Sequence, residues 1–251
     1  MNDSATHHVA DAPDVVHTPV SDLARLNWSE IAAELDREGY ARLPRLLSAE
    51  LARTVARQID DVTLFRRAST DLFEKGHADV FLDGAHLPQP WATWCKAFYR
   101  ELQPLANHWN ERLGRTDRYP EAFDAFLERN IQAGQTHSLS HMTRLCIGED
   151  LALHQCNDDG IVFPFQIVTL LSAPGIDFEG GEFVLVEQRP RMQSRPIVVP
   201  LALGDAAIIT TAQRPFKGTR GDYRVSLRHA ISRVHRGERI GVELSLHNTQ
   251  G

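Results

Sequence analysis

Cysteine is scarce in this chain: three among 251 residues (Cys95, Cys146 and Cys156), odd in number and widely spaced. That excludes a disulfide-stapled scaffold and fits free thiols in a reducing compartment, so the cytoplasm is the expected location. The opening stretch, MNDSATHHVADAPDVVHTPVSD, has neither a basic n-region nor an apolar h-region, and no secretory signal is expected from it. No apolar run approaches the ~20 residues needed to span a bilayer, so no membrane partner is expected. Internal repeats and a low-complexity core are absent as well. A net charge of −6 argues against a globally basic nucleic-acid-binding surface.

What the chain does contain suits one globular domain, with 42% hydrophobic and 24% charged residues. Charge is unevenly spread. Between Arg189 and Arg239 lie 11 basic residues against three acidic ones, a locally positive segment suited to docking a small anion. Residues 1–20 are polar and aperiodic and read as a disordered tail. Residues 21–251 read as the domain, helical over 21–133 and stranded over 134–251. In the first part, helices are expected from Trp28 to a stop at Gly39, from a Ser48 cap to about Ile59, over Trp91–Leu113 and over Glu121–Ile131, with a short strand, YARLP (40–44), between the first two. Trp94, Phe98, Leu102, Leu105 and Trp109 recur at spacings of three and four, the stripe of a helix laid on a sheet. After Gly134 the period changes to two. Eight strands are expected with turn residues between them and no intervening helix, which points to a sandwich or jelly roll, α+β but mainly β.

Within those strands, His154 closes one and His229 lies inside another. Around His229, alternation puts Tyr223, Val225, Leu227, His229 and Ile231 on one face, so His229 points with the apolar residues toward the interior. Arg239 opens the last strand, and Arg239, Gly241 and Ser245 are expected to face inward. A buried guanidinium needs an anion, and a dicarboxylate gripped in bidentate fashion would serve. Arg233 shares the strand face of His229 and is the rival anchor. His141, His235 and His247 are read as surface residues.

The order His, long gap, His, then Arg ten residues later resembles the 2-oxoglutarate/Fe(II) oxygenase superfamily. More closely, the chain is similar to a prokaryotic family of these oxygenases associated with damaged nucleic acid. The resemblance runs through NWSEIAAELDREGYARLPRLLS (27–48), LANHWNERLG (105–114), AGQT (133–136), the long stretch from Val162 to Ile208, and YRVSLRHAISRV (223–234). It implies a double-stranded β-helix braced by N-terminal helices, with Fe(II) on His154 and His229, 2-oxoglutarate and O2. The superfamily's usual His-x-Asp is here His154-Gln155-Cys156, so Cys156 stands where the carboxylate should be, and Leu145 replaces a tyrosine that in related enzymes binds 2-oxoglutarate.

Four readings of that substitution stay open. A halogenase would leave the carboxylate position vacant for chloride, as related enzymes do with a small residue there; this is the preferred expectation. Alternatively Cys156 ligates as thiolate, or Asp158 or Asp159 reaches back, and the enzyme hydroxylates or demethylates a nucleotide or nucleic acid. The two-histidine site could instead serve another 2-oxoglutarate-driven oxidation. Last, the domain could be a non-catalytic anion-binding module. The expected substrate is a small anionic molecule, with a nucleotide the leading candidate over polymeric nucleic acid, contacted by Arg144, Lys217 and Arg224.

Overall fold

The computed structural model describes residues 23–60, 65–67, 78–82, 89–156 and 160–250. The tail expected over residues 1–20, and Asn157, Asp158 and Asp159 with their proposed reach toward a metal, lie outside the described residues.

Helix α1 (Trp28–Glu38) begins where the Asn27 side chain accepts a hydrogen bond from the Glu30 amide and ends at Gly39, whose φ of 81° allows its N–H to close on the Leu35 carbonyl. The chain then turns directly into β1 (Tyr40–Leu43). Ser48 caps α2 (Ala49–Ala56), which runs on as a single 3-10 turn, Arg57–Asp60. The long helix α3 (Trp91–Arg112) buries Trp94, Phe98, Leu102 and Trp109, and α4 (Phe123–Gln132) packs alongside. The aromatic stripe is therefore core, as its spacing suggested.

Two antiparallel sheets face each other. The major sheet runs β1, β11 (Ala206–Thr210), β7 (Phe165–Leu170), β15 (Arg239–Ser245), β5 (His141–Leu145), β3 (Ala78–Leu82) and β2 (Phe65–Arg67). The minor sheet runs β10 (Arg195–Val199), β9 (Phe183–Gln188), β13 (Gly221–Ile231) and β12 (Gln213–Gly218), with β6 (Leu151–His154) also paired to β13. Short pairs close the ends: β14 (Val234–Gly237) with β8 (Phe178–Gly180), and β16 (Asn248–Gln250) with β4 (Gln135–Ser138). This is a double-stranded β-helix, α+β and mainly β.

Alternation along β15 divides the core in two. Val242 and Leu244 join Met142, Ile167 and Ile208 on the outer face of the major sheet, under Trp94, Phe98 and Leu102 of α3. Leu145, Val168, Leu170, Ala207 and Ile209 face inward, against Leu151, Phe183, Leu185 and Ile231 of the minor sheet. The helices thus brace one sheet from outside and leave the space between sheets to the site.

The short strand expected after the first helix is β1, at one edge of the major sheet, while β2 and β3, from a segment expected to be helical, extend the other edge. Strand β12 was not expected either. Its Pro215 removes a ladder donor, which is tolerated because β12 is an edge strand.

Candidate metal centre

Antiparallel pairing sets His154 at the end of β6 directly opposite His229 on β13, with ring centroids 4.1 Å apart. The strand register alone brings together two histidines 75 positions apart in sequence. His229 is fully buried, points inward with Val225, Leu227 and Ile231, and stacks on Phe183. The His154 Nδ1 lies 2.9 Å from the Ala152 carbonyl. That bond fits the tautomer with the proton on Nδ1, leaving Nε2 as the ligating nitrogen. Burial, and next the neighbouring His229, push the His154 pKa down to about 4, so the ring is the neutral imidazole a metal requires. Beyond it, the Gln155 amide donates to the Leu227 carbonyl at 2.6 Å and to Ser226 Oγ at 2.8 Å. Gln155 thereby ties the turn carrying Cys156 to β13.

A fourth group comes from the opposite sheet. Glu243 lies on β15, on the same inward face as Arg239 and Gly241, and is 7% exposed. Its Oε2 lies 3.2 Å from His229 Nε2 and 3.2 Å from the Gln166 amide nitrogen, which is itself 3.3 Å from His229 Nε2. Ligand atoms of His154, Cys156, His229 and Glu243 all fall within 4.8 Å of one another. Two ligands at right angles, each ~2.1 Å from an ion, sit about 3 Å apart, which is the observed His229–Glu243 separation. The surroundings also call for an occupant. Gln166 Oε1, Thr143 Oγ1 and His229 Nδ1 are buried without a hydrogen-bond partner among the described residues. Two imidazoles, a carboxylate and unsatisfied polar atoms fit a divalent iron ion.

Glu243 was not singled out from the sequence. By alternation it shares the face of Arg239 and Gly241, so the signal was present. What alternation cannot give is its proximity to His229, which depends on how the two sheets stack. His141 and His247 are corrected: each is 2% exposed, and His141 pairs in register with Glu243. His235 is exposed, as expected.

Arg239 is 4% exposed, and its Nε donates to the Gly181 carbonyl at 2.9 Å. Burial pushes its pKa down to about 10, while Glu243 on the same face acts the other way. Opposite it in register is Leu145, so the neighbour contributed by β5 is apolar. A small cavity between the sheets is bounded by Thr143, Phe183, Ile231, Arg239, Gly241 and Glu243. Gly241 lies between the cation and the carboxylate, with the Arg239 guanidinium packed close over it.

The other basic candidates lie elsewhere. Arg233 is an exposed side chain 3.4 Å from Asp150, because β13 ends at Ile231 and the inward alternation ends with it. Arg144 is on the outward face of β5 and pairs with Glu238 at 3.3 Å. Lys217 and Arg224 are exposed on the β12–β13 hairpin. The positive segment is also partly neutralised by partners outside it: Arg189 and Arg214 meet Glu187, Arg195 meets Glu38, and Arg236 meets Glu179.

Comparison with known proteins places this arrangement. The fold is shared with a prolyl 4-hydroxylase from Phytophthora capsici (TM-score 0.56, 13% identity, 94% of this chain and 68% of that one). It is shared also with a 2OG-Fe(II) oxygenase family oxidoreductase from Burkholderia pseudomallei (TM-score 0.50, 18% identity, 90% and 94%). A third is the Trichoplax adhaerens prolyl hydroxylase solved with a hypoxia inducible factor peptide (TM-score 0.51, 12% identity, 89% and 94%). In sequence, the chain is 40% identical over 153 residues to the uncharacterized proteins Rv2227 and MT2286 of two Mycobacterium tuberculosis strains. That match spans 61% of this chain and 66% of theirs, just under two thirds of their length. An oxygenase carrying this fold implies Fe(II), 2-oxoglutarate and O2 as its cofactors. The model of the oxygenase family catalysing oxidative methylation of damaged DNA matches residues 76–249, more than half of the chain, and the chain belongs to that family.

Proposed function

We propose that this protein is an Fe(II)- and 2-oxoglutarate-dependent hydroxylase or demethylase acting on a damaged nucleic-acid or nucleotide substrate. The observation that carries the reading is the registered His154–His229 pair with the Glu243 carboxylate beside it and buried Arg239 on the same inward face of β15. Iron, 2-oxoglutarate and O2 would supply the oxidation of a substrate C–H bond. The chain's own groups would hold and orient them. His154 and His229 would hold the metal, with Ala152 fixing the His154 ring. Arg239 would grip the distal carboxylate of 2-oxoglutarate, and its desolvation suits a charged partner in a dry cavity. The wall of Leu145, Phe183 and Ile231 would keep water away.

The substrate class rests on the family. The preference for a halogenase gives way to the hydroxylase alternative for a structural reason. Chloride would need a metal without a carboxylate beside it, yet the Glu243 carboxylate stands among the same donors as His154, His229 and Cys156. A non-catalytic anion module leaves the histidine pair without a role.

The test incubates the protein anaerobically loaded with Fe(II), then with 2-oxoglutarate and air, against methylated nucleotides and methylated single-stranded oligonucleotides. Succinate and formaldehyde, or a product heavier by one oxygen, are expected with chloride present or absent. A chlorinated product would restore the halogenase reading, and no substrate-dependent succinate would remove the nucleic-acid assignment.

A further inference from the structure

We infer that Glu243 is the third protein ligand of the metal, supplying from β15 the carboxylate that the turn after β6 lacks at Cys156. The inference rests on the iron-enzyme reading above and deepens it, because it says how this chain completes its metal site.

A turn that ends His154-Gln155-Cys156 offers two histidines and a thiol across β6 and β13. For ferrous iron, a hard carboxylate oxygen is a better third donor than a thiol exposed to the oxidant made at the same place. Among the described residues, only one group of potential metal donors contains His154 and His229, and its one carboxylate is Glu243. The hydrogen bonds of Glu243 among the described residues are both at Oε2, to His229 and to the amide of Gln166. Arg239, four residues earlier on the same face, is held instead by the Gly181 carbonyl. An ionised carboxylate set deep between two sheets is costly unless paired, and a divalent ion at the position facing His229 Nε2 is the partner that geometry provides.

The arrangement has a consequence for the fold. His154 and His229 belong to the minor sheet and Glu243 to the major sheet. A metal held by all three bridges the sheets, whereas a ligand set confined to the β6 turn and β13 would tie down the minor sheet alone. Metal binding should therefore stabilise the native state through a contact that Glu243→Gln removes.

The experiment measures Co(II) and anaerobic Fe(II) binding by calorimetry, Co(II) visible absorption and the metal-induced rise in Tm. The proteins are wild type, His229→Ala, Glu243→Gln and the double variant Glu243→Gln/Cys156→Asp. Even residues that only orient a metal's ligands are worth ~10–100-fold in affinity, so losing a direct ligand should weaken binding by about 100-fold or more. Glu243→Gln is expected to fall with His229→Ala in affinity, to lose most of the metal-induced Tm rise and to change the Co(II) spectrum. Returning a carboxylate to the turn in the double variant is expected to recover binding. Glu243→Gln binding within about threefold of wild type, with His229→Ala failing to bind, would overturn the role of Glu243 and leave the iron-enzyme reading standing. Failure of the wild type to bind either ion sinks that reading as well. If the Gln variant does not fold, Glu243→Asp, which withdraws the carboxylate by one methylene, is read in its place: weakened binding supports the assignment and unchanged affinity overturns it.

Discussion

Among the described residues, two carboxylates are buried on β-strands, and their surroundings differ. Glu187 on β9 is fully buried, and both of its oxygens are taken: Arg189 Nε donates to Oε1 at 2.7 Å and Arg214 donates to Oε2. Arg214 goes on to donate to the carbonyls of Asp36 and Arg37, capping the last turn of α1, so the pair locks that helix to the minor sheet. Glu243 on β15 has no guanidinium in hydrogen-bond contact among the described residues, and its neighbours are imidazoles and an amide. Around Glu187 one buried polar atom, Arg214 Nε, lacks a hydrogen-bond partner; around Glu243, Gln166 Oε1, Thr143 Oγ1 and His229 Nδ1 do. A carboxylate whose charge is answered inside the fold holds the fold. One whose neighbours are imidazoles and an amide, with unsatisfied polar atoms around it, marks a place for something that is not part of the chain.

The sharpest way to break this comparison is to remove each partner in turn. Truncating one member of a buried, hydrogen-bonded ion pair costs ~3–5 kcal/mol, so Arg214→Ala should lower the apo-protein's stability by that amount in a denaturant melt. Glu243→Gln, which removes a charge with no fixed countercharge in contact, should leave the metal-free protein within about 1 kcal/mol of wild type or raise its stability. Equal losses in the two variants would erase the distinction and make Glu243 a structural group.

Next in size is Arg239→Ala. Loss of one partner from a desolvated charge pair is worth roughly 2–5 kcal/mol, about 30- to several-thousand-fold in the KM for 2-oxoglutarate. The steady-state assay is succinate release over a wide 2-oxoglutarate range. A KM within a few-fold of wild type would remove Arg239 from the binding of that carboxylate.

How much of this was legible in the sequence depends on which physical relation carried each part. Period-two alternation through YRVSLRHAI sufficed to turn His229 inward, because it needs only the strand itself. The same rule, applied to β15, placed Arg239 and Gly241 on the inner face. Glu243 lies one step further on that face, but its meaning depends on a distance to the other sheet that no local pattern carries. The expectation that a missing carboxylate at Cys156 meant an absent one followed from looking only along the β6 turn. The excess of basic residues between Arg189 and Arg239 misled in a related way. Glu187, two residues before that segment, and Glu38 and Glu179, far from it in sequence, neutralise part of it in the fold. Edge strand β12 was not among the expected strands; its Pro215 would break a central strand and is tolerated at an edge.

Gly241 sharpens the comparison at smaller scale, because it separates the cation that would grip the cosubstrate from the carboxylate that would hold the metal. A Cβ placed there would meet Arg239 Nη1 at 3.0 Å and the Thr169 carbonyl oxygen at 3.3 Å. The guanidinium is the end of a flexible side chain and can give way, so Gly241→Ala should fold. Displacing the anchor and narrowing the cavity floor should raise the 2-oxoglutarate KM by about 10-fold, roughly 1.4 kcal/mol, with metal affinity little changed. A larger loss of metal than of 2-oxoglutarate affinity would put the cosubstrate on another side of the metal.

The smallest effect is expected at Arg233, whose claim as the anchor came from the same alternation that identified His229. It would follow His229 inward if β13 continued, but the strand ends at Ile231, and Ser232 turns to exchange hydrogen bonds with Glu182. Arg233 then faces solvent with 64% of its side chain exposed, 3.4 Å from the similarly exposed Asp150. Such a pair gains little from Coulomb attraction in water and orders two long side chains, for a net of ~0–1 kcal/mol. Arg233→Ala should therefore shift stability by less than about 1 kcal/mol, and any shift should shrink in high salt. Its KM for 2-oxoglutarate should match wild type while that of Arg239→Ala rises. If the two arginines exchanged these outcomes, the anion would bind at the mouth of the β-helix, and the enclosed chamber beside Gly241 would lose its assigned occupant.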